Sequence, residues 1–263
     1  MLEVRSRRGR VLLNVVTILL LVPFAAPFIV MMVDANQGVG LLANFQTVLA
    51  RPEVGLMFLS SGIIAVGTIV ISYIATMLAA FALAALHHRG KRLITYLMVA
   101  ALTLPTASII IPLFYVVSSA GLFDNYAAVF VPLAVITLPF NIILARGFIS
   151  SIPSEIYEAG RVDGASTWQI FIHLVVPLCR PITAVLIVWT FVAAWNELLL
   201  PLVFLQDPAK QTVTLLPTFF KSLYITDQSK VIAASIVVLI PTVVVYLLVQ
   251  RFFERGITAG AIK

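Results

Sequence analysis

Long apolar runs separated by short clusters of basic residues dominate the chain. An α-helix rises about 1.5 Å per residue, so crossing about 30 Å of hydrocarbon takes about 20 mostly apolar residues. Stretches of that length run from Val11 to Val33, Met57 to Leu86, Leu93 to Ala120, Tyr126 to Ala145, Ile182 to Leu205 and Val231 to Gln250. The expected fold class is therefore an all-α membrane protein with six transmembrane helices in one domain over residues 1–263. Its longest interruption, about Arg146 to Pro181, falls between the fourth and fifth spans.

The first run follows Arg5, Arg7, Arg8 and Arg10, as a secretory signal would. It exceeds the usual apolar length of about 7–15 residues and lacks a small-residue cleavage site, so it is expected to be a retained anchor. Orientation follows from the basic residues. With both termini in the cytoplasm, the four N-terminal arginines, Arg89, Lys91, Arg92, Arg146, Arg161, Arg180, Arg251, Arg255 and Lys263 face inward. Only Arg51, Lys210, Lys221 and Lys230 face outward. That bias obeys the positive-inside rule, and the opposite orientation breaks it.

Composition agrees with this picture. Hydrophobic residues make up 61% of the chain and charged residues 11%, with a mean hydropathy of +1.09. Soluble domains hold about 45–50% and about 25%, so too few polar side chains are present here to cover a water-facing surface. The net charge of +6 does not form a stripe suited to nucleic acid, because the cations sit at the ends of apolar runs. A single cysteine, Cys179, excludes an internal disulfide and a zinc site of several cysteines. Pro105 and Pro112, Pro132 and Pro139, and Pro241 lie inside the third, fourth and sixth spans, where each is expected to kink its helix.

The interruption after the fourth span reads as two short helices. Pro153 suits a first helical turn, Glu155 and Glu158 lie near the positive end of the helix dipole, and Asp163-Gly164 supplies a stop. A second helix from about Ser166 to Val175 ends before Pro177. The pair is expected to form a compact, rigid cytoplasmic knob. The competing reading is an amphipathic helix on the lipid headgroups, but that calls for a more basic face than Glu155, Glu158, Arg161 and Asp163 provide.

The segment Glu158-Ala159-Gly160-Arg161-Val162-Asp163-Gly164, followed by Leu174-Val175-Val176-Pro177, resembles the EAA motif of permease subunits in ATP-binding cassette importers. Gly160, Leu174 and Val176 depart from that pattern by small or apolar exchanges. Trp195-Asn196-Glu197-Leu198, Gly121-Leu122-Phe123-Asp124-Asn125 and the tail from Phe253 to Lys263 are similar to the carbohydrate-importing, maltose-type branch. Ser60-Ser61 stands where that branch has Asn-Ser, and the first outward loop, about Asp34 to Leu56, is short. The resemblance implies a coupling loop formed by Glu155, Glu158, Ala159, Gly160, Arg161, Asp163, Gly164 and Pro177. Glu158 would offer the partner a carboxylate, and Ala159 and Gly160 would permit close approach. It implies four kinds of partner besides membrane lipid: a second homologous permease, an ATPase dimer, an external solute-binding protein, and a delivered sugar or polyol.

No G-x-x-x-x-G-K-[ST] phosphate cradle occurs in the chain, so ATP hydrolysis is not expected here. No cofactor is expected on this chain, and the resemblance puts ATP and Mg²⁺ on the partner ATPase. His87 and His88 read as a solvated basic turn, and His173 as part of the loop surface. Glu197 is the acid deepest in a span, and intramembrane acids face a cavity or a partner. It lies with Asn196 about 20 Å along the fifth helix, in the outer half. Two readings stand open: the pair lines the substrate path, or it fixes the bundle by hydrogen bonds. A transporter driven by an ion gradient is the alternative function. It would need inverted repeats and midplane ionisable groups, which Glu197 alone supplies poorly.

Overall fold

The computed structural model describes the backbone of residues 7–86, 90–221 and 226–260, with side chains at 11, 13–86, 90–221 and 226–250. His87, His88 and Arg89 and the last three residues of the tail lie outside the described residues, as does Arg5. The described chain is nearly all helical, and an isolated bridge between Lys221 and Thr226 is the extended pairing found.

Helix α1 spans Arg7–Ala35, α2 Leu41–Leu49, α3 Glu53–Ala85, α4 Lys91–Ala101, α5 Thr106–Ser119, α6 Ala127–Ile149 and α7 Ser154–Val162. Helix α8 covers Thr167–Leu178, α9 Arg180–Trp195, α10 Leu199–Phe204 and α11 Gln228–Gly260. Among the described residues, four stretches are long and apolar enough to cross a membrane: Leu13–Ala35, Glu53–Ala85, Ala127–Ile149 and Gln228–Gln250. Two bent pairs, α4 with α5 and α8 with α9, raise the number to as many as six.

The third span is thus not the single kinked helix expected from Leu93 to Ala120: α4 and α5 meet at 103°. Pro105 causes the break. It has no amide to donate, its ring drives the preceding residue out of the helical region, and its own ψ is 133°. Thr103 Oγ1 donates to the Ala100 carbonyl, 2.7 Å, and so satisfies an oxygen freed at the end of α4. Pro112, Pro132, Pro139 and Pro241 all stay inside continuous helices. The expected fifth span is interrupted too. Helix α9 ends at Trp195, and the chain resumes helical form only at Leu199.

The chain divides into two compact units. The first comprises Met1–Val54 and Leu216–Val238. In it, the segment after α1 holds the short helix α2. Buried Asn44 pins the α1–α2 turn by donating from Nδ2 to the carbonyls of Ala35 and Gln37, each at 2.9 Å. The Arg51 guanidinium lies 4.7 Å from the centre of the Phe219 ring and 3.4 Å from the Glu53 carboxylate.

The second unit comprises Gly55–Leu215 and Leu239–Lys263. Two apolar clusters fill it. One joins α3, α6, α8 and α9 around Met77, Phe81, Ile149, Phe171 and Leu186. The other packs Ile64, Val129, Leu133, Leu200 and Phe204. Polar ties run between the same helices. Buried Asn141 on α6 donates to Ser72 Oγ on α3 at 3.0 Å and to Thr190 Oγ1 on α9 at 2.9 Å. Tyr73 and Thr183 add a hydroxyl contact of 3.1 Å between α3 and α9. Ser60 and Ser61 are buried as well, against the Tyr126 hydroxyl and the Val213 amide. They tie this unit together and are not surface for an external partner.

Candidate functional site

Helix α7 starts after Pro153, whose ψ of 139° turns the chain into the helix, and carries Glu155 in its first turn. It ends in a Schellman motif. The amide of Ala165 donates to the Gly160 carbonyl at 2.9 Å and that of Gly164 to the Arg161 carbonyl at 3.1 Å. Gly164 has φ +77°, a left-handed conformation that costs any other L-residue about 1–2 kcal/mol. The Asp163-Gly164 stop read from sequence is realised in this form.

Helix α8 opens with a capping box: Ser166 Oγ accepts from the Gln169 amide, and the Ser166 amide donates to Gln169 Oε1 at 2.8 Å. It does not end before Pro177, as expected, but runs on to Leu178 through a π-helical stretch at Ile170–Val175. The wider turn falls just before Pro177, which has no amide to give to the ladder. Cys179 then bends the chain by 77° into α9.

The two-helix knob is also less free-standing than expected. Ile170, Phe171 and Val175 are buried in the core shared with α3 and α6, and the rings of Phe171 and Phe81 lie 5.1 Å apart. Helix α8 is therefore rooted in the bundle, and α7 lies over it. Gly160 is the crossing point. A Cβ there would stand 3.0 Å from Leu174 Cδ1 and 3.2 Å from Ile170 Cγ1, so the small residue serves a contact within the chain. Ala159 is exposed and remains available for an outside contact.

Glu155, Glu158 and Arg161 are exposed on α7, as are Asp163 at its C-cap and Pro177 on α8. Among them stand Val162 at 87% exposure and Trp168 at 59%. An apolar residue that open to water is normal alone, but here it is flanked by charges of both signs on a rigid helix end. A concavity of about 330 Å³ opens beside them, lined by Gly160, Asp163, Gln169, Ile170, His173 and Leu174. His173 is exposed there, with Nδ1 3.2 Å from the Gln169 carbonyl. Val162 within the motif and Trp168 beyond it carry no charge or spacing signal in the sequence, although both fall on the exposed side of these helices.

Asn196 and Glu197 stand apart from this surface in sequence. Both lie in the break between α9 and α10 and not within a continuous helix. Asn196 Nδ2 donates back to the Val192 carbonyl at 2.8 Å. Glu197 Oε1 accepts from the amides of Leu199 and Leu200, 2.8 and 3.0 Å, and so satisfies the free donors that open α10. Its backbone carbonyl accepts from Thr214 Oγ1 at 3.0 Å. Trp195, next to the break, is buried with its ring 5.5 Å from Phe191 and 5.7 Å from Phe58, whereas Trp189 is exposed.

Residues 73–258, from within α3 to within α11, match the family described as binding-protein-dependent transport system inner membrane component. Similar proteins include the diacetylchitobiose uptake system permease protein NgcG of Streptomyces coelicolor, 29% identical across 84% of this chain and 74% of that one. The melibiose/raffinose/stachyose import permease protein MelC of Bacillus subtilis is 32% identical across 84% and 80%. The fold is shared with a bacterial ABC transporter involved in the import of the acidic polysaccharide alginate. The TM-score is 0.79 at 22% identity, covering 94% of this chain and 98% of that one. The chain belongs to the binding-protein-dependent inner-membrane components: it is a multi-pass permease subunit of an ATP-binding cassette importer, whose ATP-hydrolysing activity lies on a separate subunit.

Proposed function

We propose that this permease carries a sugar, oligosaccharide or polyol delivered by an external solute-binding protein, and that the end of α7 is its joint to the ATPase. The observation that carries this reading is the exposed face of Glu155, Glu158, Ala159, Arg161 and Val162, closed by the Gly164 turn and rooted through α8 in the core. A surface fixed in that way transmits a push from outside directly into the bundle. The relatives that import diacetylchitobiose and the raffinose series support the substrate class.

In this reading a second, homologous permease completes the path, and the two move between inward- and outward-facing states. ATP and Mg²⁺ act on the ATPase dimer. Both termini are cytoplasmic, and the spans number six: α1, α3, the pair α4 and α5, α6, α9 with α10, and α11. The distribution of basic residues supports this orientation. The whole chain acts as one permease domain. The side chains of Asn196 and Glu197 act first as caps at the break between α9 and α10.

The test pairs Glu158→Lys and Gly164→Val in the assembled complex with uptake of radiolabelled di- and trisaccharides. Both variants are expected to remain in the membrane, lose ATPase on purification and lose uptake. Normal ATPase recovery and normal uptake in both would remove α7 from the coupling role.

A further inference from the structure

The polar ties at the centre of the second unit form a directed chain. Thr137 Oγ1 donates its single hydrogen to the Ala134 carbonyl at 2.8 Å, so in its 3.1 Å contact with Ser72 it must accept. Ser72 therefore spends its own hydrogen on Thr137 and can only accept from Asn141, which is why the Asn141 amide presents Nδ2 to it. The other Nδ2 hydrogen goes to Thr190. That orientation leaves Asn141 Oδ1 without a partner on a side chain only 1% exposed. Thr76 Oγ1, fully buried, is also without one.

The two orphans lie on neighbouring turns of helices that face each other. Tyr126 on the chain entering α6 pairs with Ser60, and Asn141 pairs with Ser72, so α3 and α6 run in the same direction. Thr76 follows Ser72 by one helical turn on the same face, as Asn141 follows Thr137. Ser72 touches both Thr137 and Asn141, so Thr76, one turn further along α3, stands about half a turn beyond Asn141, about 3 Å along the axis. No carboxylate takes part in the cluster, so the group suited to it is neutral, able to donate to Oδ1 and to exchange a hydrogen bond with a hydroxyl. Internal water makes two to four such bonds.

We propose that Asn141 Oδ1 and Thr76 Oγ1 hold an internal water, and that this hydrated hub positions α9 against α3 and α6 during coupled transport. Helix α9 begins directly after α8, and its Thr183 and Thr190, two turns apart on one face, meet Tyr73 and Asn141. Hydroxyl and water contacts of this kind can be exchanged as helices shift, whereas interlocked apolar side chains cannot. Asn141 is thus a positioning residue that acts through α9. The functional half of the proposal rests on the coupling role assigned to the loop.

The experiment compares Asn141→Leu, Thr76→Val and wild type in the reconstituted importer, measuring complex assembly, ATP hydrolysed per solute imported, and a high-resolution map of the wild-type bundle. The expected map shows one water between the two oxygens. Asn141→Leu is expected to assemble and to hydrolyse ATP while the ATP-to-solute ratio rises about twofold to thirtyfold; Thr76→Val shifts it in the same direction by less. Should Asn141→Leu fail to assemble, Thr76→Val decides. An unchanged ratio in an assembled variant overturns the positioning role, and a map with the oxygens dry at a resolution that orders other waters overturns the site. A failure of the coupling reading looks different: Glu158→Lys then keeps its ATPase and its uptake, whatever the map shows at the hub.

Discussion

Lys210 reaches back 86 positions to Asp124: its ammonium lies 2.9 Å from Asp124 Oδ2 and 2.7 Å from the Asp124 carbonyl oxygen. The other carboxylate oxygen accepts from the amides of Gln206 and Asp207, each at 3.0 Å. Asp124 holds φ +56° to do this, a conformation that asparagine and aspartate tolerate better than other side-chain-bearing residues. One carboxylate thus fastens the turn between α5 and α6 to the loop after α10. Asp124→Ala is expected to free that loop, because it removes the three carboxylate contacts and leaves a strained alanine; Asp124→Asn, which keeps the backbone preference, frees it less. Tryptic cleavage after Lys210 in purified complex reads the difference, and equal resistance in wild type and Asp124→Ala would show the latch to be idle.

The same latch sets a pH response. Backbone donation from Asp207, then the Lys210 ammonium, hold the Asp124 carboxyl below its usual range. A depressed carboxylate contributes its stabilisation fully above the unfolded value and loses it as pH falls through the lower folded value. The hydrogen bond to Asp124 raises Lys210, whose contribution is complete below the ordinary lysine value and lost as pH climbs through the raised one. Proteolysis of the loop is therefore expected to stay flat through the neutral range and to increase only in acid below the ordinary aspartate value or in strong base. A transition near pH 6 would point to other groups.

What the sequence made legible was whatever depends on local backbone chemistry. Gly164 could be read as a left-handed stop because Asp-Gly after a helical run leaves few alternatives, and α1, α3, α6 and α11 were plain from apolar length. The 103° turn at Pro105 was not legible: Pro112, Pro132 and Pro139 look alike in sequence and stay helical. The difference is that Pro105 stands at the start of α5 with an extended ψ of 133°, whereas the others lie inside their helices. Glu197 reads as lying inside a span because hydropathy does not register a helix break between two apolar segments. Asn141 carries no signal of its own, since the faces that meet in a bundle are written in no single segment.

Gly160 offers a test of how tightly the knob is built. Adding a methyl group there improves helix propensity by about 0.5–1 kcal/mol, but the new Cβ meets Leu174 and Ile170 at 3.0 and 3.2 Å. Leu174 Cδ1 is the end of a flexible side chain and can yield, so Gly160→Ala is expected to leave thermal stability within about 1 kcal/mol of wild type. Gly160→Val is too large for that accommodation and is expected to cost about 1–3 kcal/mol by prising α7 from α8. Thermal unfolding of the detergent-solubilised complex checks both, and equal stability of the valine variant would mean that α7 is not held by this crossing.

Glu197 separates capping from substrate contact. As a cap, its carboxylate satisfies the amides of Leu199 and Leu200, and replacing such a group with alanine costs about 0.5–2 kcal/mol. Aspartate or serine at the same position can accept from the same amides. If capping is the whole role, Glu197→Ala lowers the unfolding temperature, Glu197→Ser restores most of it, and the concentration dependence of uptake is the same in every variant that assembles. A residue that touches the passing solute behaves otherwise: half-saturation or solute preference moves in Glu197→Ser although stability has returned. Uptake titrations with two saccharides of different length, run beside melting curves, distinguish the cases, and the two short bonds from the α10 amides make the capping outcome the expected one.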